Sequence, residues 1–506
     1  MDGQLRLPLE IWGLVVELLP KEDQKTCLFA SRVLGNVARA RLFSHVTILF
    51  GLWRPFGAEH KDDAAAAAYL NEIDQLSTSS WEIMRYIRRD AEFAKLIKKL
   101  SVRAHVPAGT GTYERHCLIE TLESLPSLTS FVYHGMFPLL QPETIDALAN
   151  TCGSVLTEFR APVLGGRNWL GPAFFAKFTK LEKLVLVKEP YEDTPARGDN
   201  WAARACIEKV AEMRKLRSLH VGGEAIWALP VRPFAYLREL VIQEPENLGA
   251  IGLVLRHCSP QLQSLSLVLD NLWVEKYLNA AFDSDPKALP NLRSFKLVMH
   301  GDSFNRYPSD VSDFLTNKKH LRRLDVDLNM DPADAGVYPQ FFELLPELPE
   351  LEVLGVSLSG YEFTSEKLKR LDGKLPLGLT ALLIHFDFEI NDVSAREWMD
   401  VFRKRESLRY LHILDNHRTL DLKQQLLEDH PAPLELVGYG PHLRWIERDP
   451  ETGLPAYSPR WSDAKVRFRE VEDFGCEDWE WLLRYHDWGE LNSLYPGLPR
   501  EADALA

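Results

Sequence analysis

Cationic charge is the first shortage: 59 Lys and Arg stand against 73 Asp and Glu in 506 residues, a net charge of −14. A dedicated nucleic-acid or anionic-membrane binder concentrates Lys and Arg to displace counterions, so neither partner is expected beyond local basic patches. Cysteine is scarce and scattered. Cys27, Cys117, Cys152, Cys206, Cys258 and Cys476 form no Cys-x-x-Cys, and His116 and His257 each precede a cysteine without further ligands nearby. Free or buried thiols in a reducing compartment are expected, with no zinc site and no disulfide framework. No apolar run approaches a membrane span. Leu7 to Leu19 is interrupted by Pro8, Glu10 and Glu17 and lacks a small-residue cleavage site, so no secretory signal is expected. No Asn begins an Asn-x-Ser/Thr sequon, which agrees with a cytoplasmic or nuclear location.

Catalytic signatures are missing as well. Asp473-Phe474-Gly475 spells the metal-binding triplet of protein kinases, but the glycine-rich loop and catalytic-loop aspartate that must precede it are absent. Ala108 to Thr112 offers two glycines of a dinucleotide loop ahead of no long βαβ unit and reads as a turn. There is no GxSxG, HExxH or Walker loop, and the fifteen histidines do not cluster at ligand spacing. Asp325 and Asp327 lie two apart on one predicted strand, which sends both carboxylates to one side, as an acid pair or a metal site requires. A solvated acidic patch is the expected role. No enzyme activity, metal or cofactor is expected.

What is present is a returning phrase. Leu262-Gln-Ser-Leu265-Ser-Leu267 is followed by Leu292/Phe295/Leu297, Leu321/Leu324/Val326, Leu351/Leu354/Val356, Leu379/Leu382/Ile384 and Leu408/Leu411/Ile413, in steps of 30, 29, 30, 28 and 29 residues. With 45% of residues apolar, three fixed apolar positions coincide by chance at about one start in eleven, so one match means nothing and the register means everything. It continues upstream through Leu237, Leu216, Leu181, Leu156, Leu128 and Ile97, and downstream to a weaker copy at Leu443 with Ile446. Thirteen copies with steps of 21 to 35 residues make an irregular leucine-rich-repeat solenoid, an α/β horseshoe. Within each phrase the apolar residues two apart face a core shared with the next unit. Intervening segments such as Ile207, Val210, Met213 and Leu216, or Phe314 and Leu315, carry helical spacing and would pack on the convex side. The strand side is then concave and open to a partner.

Residues 1–50 differ in character. Pro8 suits a helix start, Ile11, Leu14, Val15, Leu18 and Leu19 recur on one face, and Pro20 ends that helix. A second helix after Asp23 carries Cys27, Leu28, Leu34 and Val37 into Ala38-Arg-Ala-Arg-Leu42-Phe43, and His45 to Phe50 reads as a strand. Three short helices bury little by themselves, so an apolar face is left for a partner or for the repeats. The stretch LPLEIWGLVVELLPKEDQKTCLFASRVLGNVARARLFSHVTI resembles the F-box of fungal F-box proteins, matching at Leu7, Pro8, Glu10, Ile11, Val15, Leu18, Leu28, Ser31, Arg32, Ala38, Arg39, Leu42 and Phe43. An F-box followed by leucine-rich repeats is a common architecture of that family, and Val437-Gly-Tyr-Gly-Pro-His-Leu443-Arg-Trp-Ile is also similar to such proteins. The resemblance implies that the module docks on the Skp-type adaptor of a cullin-RING ubiquitin ligase through Leu7, Pro8, Ile11, Val15, Leu18, Leu28, Leu42 and Phe43, while the repeats hold a protein substrate.

The organisation expected is therefore a helical F-box-like module over 1–50, an insertion over 51–78 with a five-alanine run, the solenoid over 79–448 and a C-terminal segment over 449–506. Ser79 and Glu82 form a capping-box pattern that predicts the start of the first array helix. Alternation sends polar residues beside the strand leucines to the concave surface, and His300, Arg323, Asp325, Asp327, His385, Tyr410, His412 and Trp445 are the candidate substrate-binding residues. His220, Glu239, Gln243, Ser264, Ser266, Lys296, Ser357 and Glu447 share that alternation. Beyond Leu443, Phe468, Val471, Phe474, Trp479, Trp481, Leu482, Tyr485 and Trp488 make an aromatic, acidic helix that serves either as a cap over the last core or as a partner-docking element, the cap being the expected role. The runner-up function is an interaction scaffold without ligase docking, its N-terminal helices capping the repeats.

Overall fold

A computed structural model of the chain describes residues 8–51, 53, 63–106, 111–163, 177–188, 213–222, 235–243, 251–258, 260–269, 275–299, 309–327, 338–358, 363–386, 393–415, 422–429, 431–440, 442–449 and 451–486. Leu7, His300, Cys206, Ile207, Val210, the 189–200 loop and Trp488 lie outside the described residues. The described residues up to Leu216 form one compact unit and those from Arg217 a second.

The first unit opens with α1 (Leu9–Glu17), α2 (Lys21–Ala30) and α3 (Arg32–Leu42), then β1 (His45–Gly51), α4 (Asp63–Arg89), α5 (Ala91–Ala94), β2 (Lys99–His105), α6 (Thr112–Leu122), β3 (Ser130–Phe137), α7 (Pro142–Cys152), β4 (Glu158–Val163) and β5 (Lys183–Lys188). Its strands pair in parallel and in chain order. The alanine run belongs to α4, which begins at Asp63 rather than at the predicted Ser79 cap. Alanine is the strongest helix former, and the run extends the helix upstream. Ser79 sits mid-helix and its hydroxyl donates back to the Gln75 carbonyl at 2.9 Å, as a serine inside a helix does.

The second unit repeats one plan: β6 (Ser218–Gly222), β7 (Glu239–Gln243), α8 (Ile251–Cys258), β8 (Ser264–Leu269), α9 (Glu275–Ser284), β9 (Ser294–Met299), α10 (Ser309–Thr316), β10 (Arg323–Asp327), α11 (Tyr338–Leu344), β11 (Val353–Leu358), α12 (Ser365–Asp372), β12 (Ala381–Phe386), α13 (Ala395–Arg403), β13 (Tyr410–Asp415), α14 (Lys423–Glu428) and β14 (Leu436–Tyr439). Strands β6 to β14 pair with one another in parallel and in chain order. An antiparallel extension, β15 (His442–Arg448) and β16 (Pro455–Tyr457), ends the sheet. Three short helices follow: α15 (Asp463–Arg467), α16 (Val471–Phe474) and α17 (Glu477–Leu483).

The leucine register governs the core. Each strand from β2 to β13 starts two residues after a predicted first position, and all twelve of those positions, Ile97 to Leu408, are buried. Second positions stand in line across the strands, Leu265 beside Phe295, Leu324, Leu354, Leu382 and Leu411, and every one is inaccessible to solvent. Backbone hydrogen bonding repeats with the register: one carbonyl accepts two successive N–H groups of the next unit. Gln263 O takes Arg293 and Ser294 at 2.8 and 2.9 Å, Arg293 O takes Arg322 and Arg323, and Arg322 O takes Glu352 and Val353. On the other side of the core, helices contribute Phe282, Phe314, Phe341, Leu368, Trp398 and Phe402, all buried.

Two copies differ from the expectation. The last parallel copy begins at Leu434, not Leu443, because Glu435 and Leu436 both donate to the Arg409 carbonyl at 2.8 and 3.1 Å. Gly440, with φ of 53°, then reverses the chain and puts Leu443 on the antiparallel β15. An extra copy stands upstream at Phe43, with Val46 and Ile48, where Ser44 O accepts from Lys98 and Lys99. Among the described residues no helix is long and apolar enough to cross a membrane, and the five described cysteines are free. Leu354→Ala is expected to cost about 2–5 kcal/mol, whereas Leu18→Ala, exposed on the first unit, should change stability by less than about 0.5 kcal/mol. Urea denaturation of the two variants checks the contrast.

Candidate functional site

Leucines that point toward the helices leave the alternate residues of β6 to β13 on the other side of the strands. The sequence predicts that side to be open. Instead the chain's own C-terminal segment covers it, with α17 packed on β10, β11 and β12. Arg323, Asp325, Asp327, His385, Tyr410, His412 and Trp445 do come together, but as the seat of this segment. Asp325 and Asp327 share one side as predicted, yet they are buried and paired, so the expected solvated acidic patch is corrected.

Contacts alternate between charge and aromatic surface. At the start of α17, Asp478 accepts from Arg322 Nη1 and Nη2 at 3.0 and 2.6 Å and from Arg323 Nη2 at 2.7 Å, while Glu477 pairs with Arg323 at 3.0 Å. At its end, the fully buried Lys296 ammonium donates to the carbonyls of Leu482 and Arg484, each at 2.9 Å, pairs with Asp325 and lies 4.7 Å from the Trp481 ring centre. Acids at the helix start and a cation at its last carbonyls both match the helix dipole. His486 then bridges the two aspartates, Nε2 to Asp325 at 2.9 Å and Nδ1 to Asp327 at 3.2 Å, and His385 meets Asp327 from the other side at 3.0 Å. Arg484 lies between Glu480 at 3.0 Å and Glu239 at 3.4 Å, and Tyr485 reaches His220 at 3.1 Å. At the C-terminal end Trp479 packs on Tyr410 and Trp445, ring centres 5.5 and 6.0 Å apart, and Phe474 packs on Trp461 at 5.2 Å.

Burial and pairing set the protonation states. Burial opposes the charge on His486, but the Asp325 and then the Asp327 carboxylates override it and hold the imidazolium above its ordinary value. Burial raises Asp325, and Lys296 and His486 bring it below the usual range. Asp327 is held well below by His385 and His486 against the same penalty, and Glu239 by His220, Arg484 and Ser218. His412 behaves oppositely: desolvation drives it down to about 3. Its Nε2 lies 2.9 Å from the Gly440 carbonyl and Nδ1 lies 2.7 Å from the Tyr410 hydroxyl, so a neutral ring with the proton on Nε2 satisfies both partners.

Two glycines make room. A Cβ at Gly355 would fall on Asp325 Oδ1 and stand 3.1 Å from Leu482, and one at Gly438 would fall on the His412 ring. A glycine inside a strand is a legible sign of close approach, and both escaped the sequence reading. Asp478, Arg484 and His486 carried no such sign. Among the described residues no group of three or more His, Cys, Asp or Glu could hold a metal ion.

The second predicted surface is in the first unit. Pro8 caps α1 and is exposed, as are Ile11, Val15 and Leu18, the last 86% accessible. Leu28 and Leu42 are half-buried. Phe43 is half-buried as well, but it packs on Phe93 with ring centres 5.1 Å apart at the entry to β1, which makes it part of the first repeat rather than of a docking face. Leu14, on the same face of α1, is exposed as well, as are Leu9, Phe29 and Val33; all four are absent from the predicted docking set, and Val16 alone is buried on α1.

Two predictions follow from the covered face. Gly355→Ala should destabilise the second unit by about 1–3 kcal/mol through overpacking, read as a lowered urea midpoint. For His486, a value raised in the seated state means its contribution is present below about pH 6.5 and lost as pH rises through the raised value. The melting temperature should fall as pH rises above about 6.5, and that of His486→Gln should fall less; equal slopes would contradict the assignment.

No family model and no curated protein matches the chain. Among solved structures, the crystal structure of a Rad7 and Elc1 complex in yeast is similar with a TM-score of 0.37 and 15% identity, over 67% of this chain and 76% of that one. A TLR13–ssRNA13 complex is similar with a TM-score of 0.28 and 15% identity, over 66% of this chain and 57% of that one. Likeness at this level is loose, and the repeat architecture rests on the chain's own strand register and leucine ladder.

Proposed function

We propose that the chain is a protein-interaction scaffold acting as the substrate-recognition subunit of a Skp-cullin-F-box type ubiquitin ligase, in the cytoplasm or nucleus, with α1 to α3 docking on the Skp-type adaptor. The observation that supports this most is the bare apolar row on the helical module. An amphipathic helix ordinarily turns its apolar stripe inward, yet Ile11, Leu14 and Val15 of α1, with Leu18 after it, share one helix face and are exposed, and Phe29 of α2 is 89% accessible. Exposed apolar residues gathered on one helix face mark an interaction site, and the resemblance of the same stretch to the F-box supplies the partner class. Ubiquitin transfer would belong to partner subunits.

The runner-up reading makes these helices a cap of the repeats. A cap would bury the stripe that α1 leaves open, so the same exposure speaks against it. The module is attached through its other side: Arg39 donates to the Tyr86 hydroxyl at 3.2 Å and stacks 5.7 Å from the Phe93 ring.

Capture of a Skp-type adaptor by the purified chain tests the proposal. Ile11→Asp with Leu14→Asp is expected to reduce capture at least about tenfold, the scale of lost buried anchors in an interface, with the melting temperature nearly unchanged because both residues are exposed. Equal capture by wild type and variant, or none by either, removes the ligase assignment and leaves a scaffold.

A further inference from the structure

The segment that covers the strand face is built like a bound peptide. Its helix α17 has seven residues, too short to be stable alone in water, so the face orders it. Recognition runs along its length by chemical type: a carboxylate at Asp478 for the Arg322 and Arg323 guanidiniums, an indole at Trp481 for Lys296, and a cation at His486 for Asp325 and Asp327. The seat itself is rich in charge: Lys296, Arg323, Asp325, Asp327, Glu239 and His385 stand on its strands. A permanently closed layer gains more from aliphatic packing than from buried ion pairs, which cost desolvation and return selectivity. Lifted away, the segment would expose Trp479, Trp481, Leu482 and Leu483 together with the charged seat, so its release is favoured only by a partner that covers the same aromatic and charged surface.

We propose that this face is a binding site for a short acidic-aromatic helix of a partner protein, one presenting a carboxylate in its first turn, an indole on the next and a basic residue after its end. Glu477 to His486 is the chain's own copy of that ligand and is displaced when the partner docks. The inference rests on reading the chain as an interaction scaffold and is independent of adaptor docking, because it concerns the second unit alone. It changes where a substrate is recognised: on a surface that must first be vacated.

A fluorescein-labelled peptide with the sequence of residues 470–488 is the probe, and the full-length chain is the receptor. Wild type should bind it weakly, since the tethered copy competes at an effective concentration on the order of millimolar. Asp478→Arg in the receptor turns attraction to Arg322 and Arg323 into repulsion, and should tighten peptide binding by about tenfold or more as the tether's advantage falls. Adding Arg323→Glu to that receptor should abolish the gain. Hydrogen exchange on the unaltered chain gives a readout free of substitution: amides of Glu477 to Leu483 should exchange faster than those of β9 to β12, through local opening. Equal protection of the two, or no tightening by Asp478→Arg, overturns the proposal and makes the segment a fixed part of the fold. Concentration-dependent dimerisation of Asp478→Arg without peptide also overturns it, by assigning the face to a second copy. Adaptor capture by the same preparations is measured separately, so loss of the ligase assignment and loss of this site remain distinct results.

Discussion

No single strand-and-helix coil of this chain can bury its own apolar side, and that constraint organises both units. Leu324 is inaccessible only because Phe295 and Leu354 stand on either side of it in register. Stability therefore resides between neighbours, as in other repeat arrays, and the carbonyl that accepts two N–H groups at each step keeps the neighbours in step. Within the second unit, strands separated by steps as unequal as 21 residues, β6 to β7, and 30 residues, β8 to β9, still pair in register, since length differences are taken up between the strands while the phrase itself stays constant.

Devoting every second strand residue to that ladder leaves the alternate residues without a role in the core. In the second unit they have become a charged surface, and the C-terminal segment answers it residue by residue. Buried Lys296 illustrates the logic. Burial pushes its ammonium below the ordinary value, and it is compensated by one carboxylate, two helix-end carbonyls and an indole face. Removing any one partner would leave a buried charge short of compensation, which costs far more than the net worth of the contact. Glycine at 355 and 438 belongs to the same design: a methyl group at 355 would collide with Asp325, which pairs with His486, and one at 438 with His412, which bonds the Tyr410 hydroxyl beneath Trp479.

The two candidate surfaces follow opposite physical rules. On the helical module, Ile11, Leu14, Val15 and Leu18 face water, so under the proposed docking the gain would come from burying them. On the strand face, charge and aromatic area are already matched, so any partner has to reproduce that pattern to take its place. Affinity on the first surface would then come from area. Selection on the second comes from complementarity.

Much of the fold was legible in the sequence because its cause is local and periodic. Three apolar residues at fixed offsets, returning about every 29 residues, suffice to place Ile97 to Leu408 in the core, and a stripe at helical spacing suffices to mark Ile11, Val15 and Leu18 as one face. Errors came where a local signal had a local rival: the alanine run extended α4 past the Ser79 cap, and Gly440 turned the chain so that Leu434, not Leu443, closed the parallel series. The F-box resemblance groups Phe43 with the docking residues because its neighbours match the motif, whereas its ring packs on Phe93. The polar residues Arg323, Asp325, Asp327, His385, Tyr410 and His412 were correctly placed on one side of the strands, but alternation says only which way a side chain points. What meets it there was decided by tertiary structure alone: Lys296 finds its carbonyl partner 186 residues away. No period, spacing or composition carries a contact of that range, since it depends on where the chain returns after the repeats have fixed the surface it returns to.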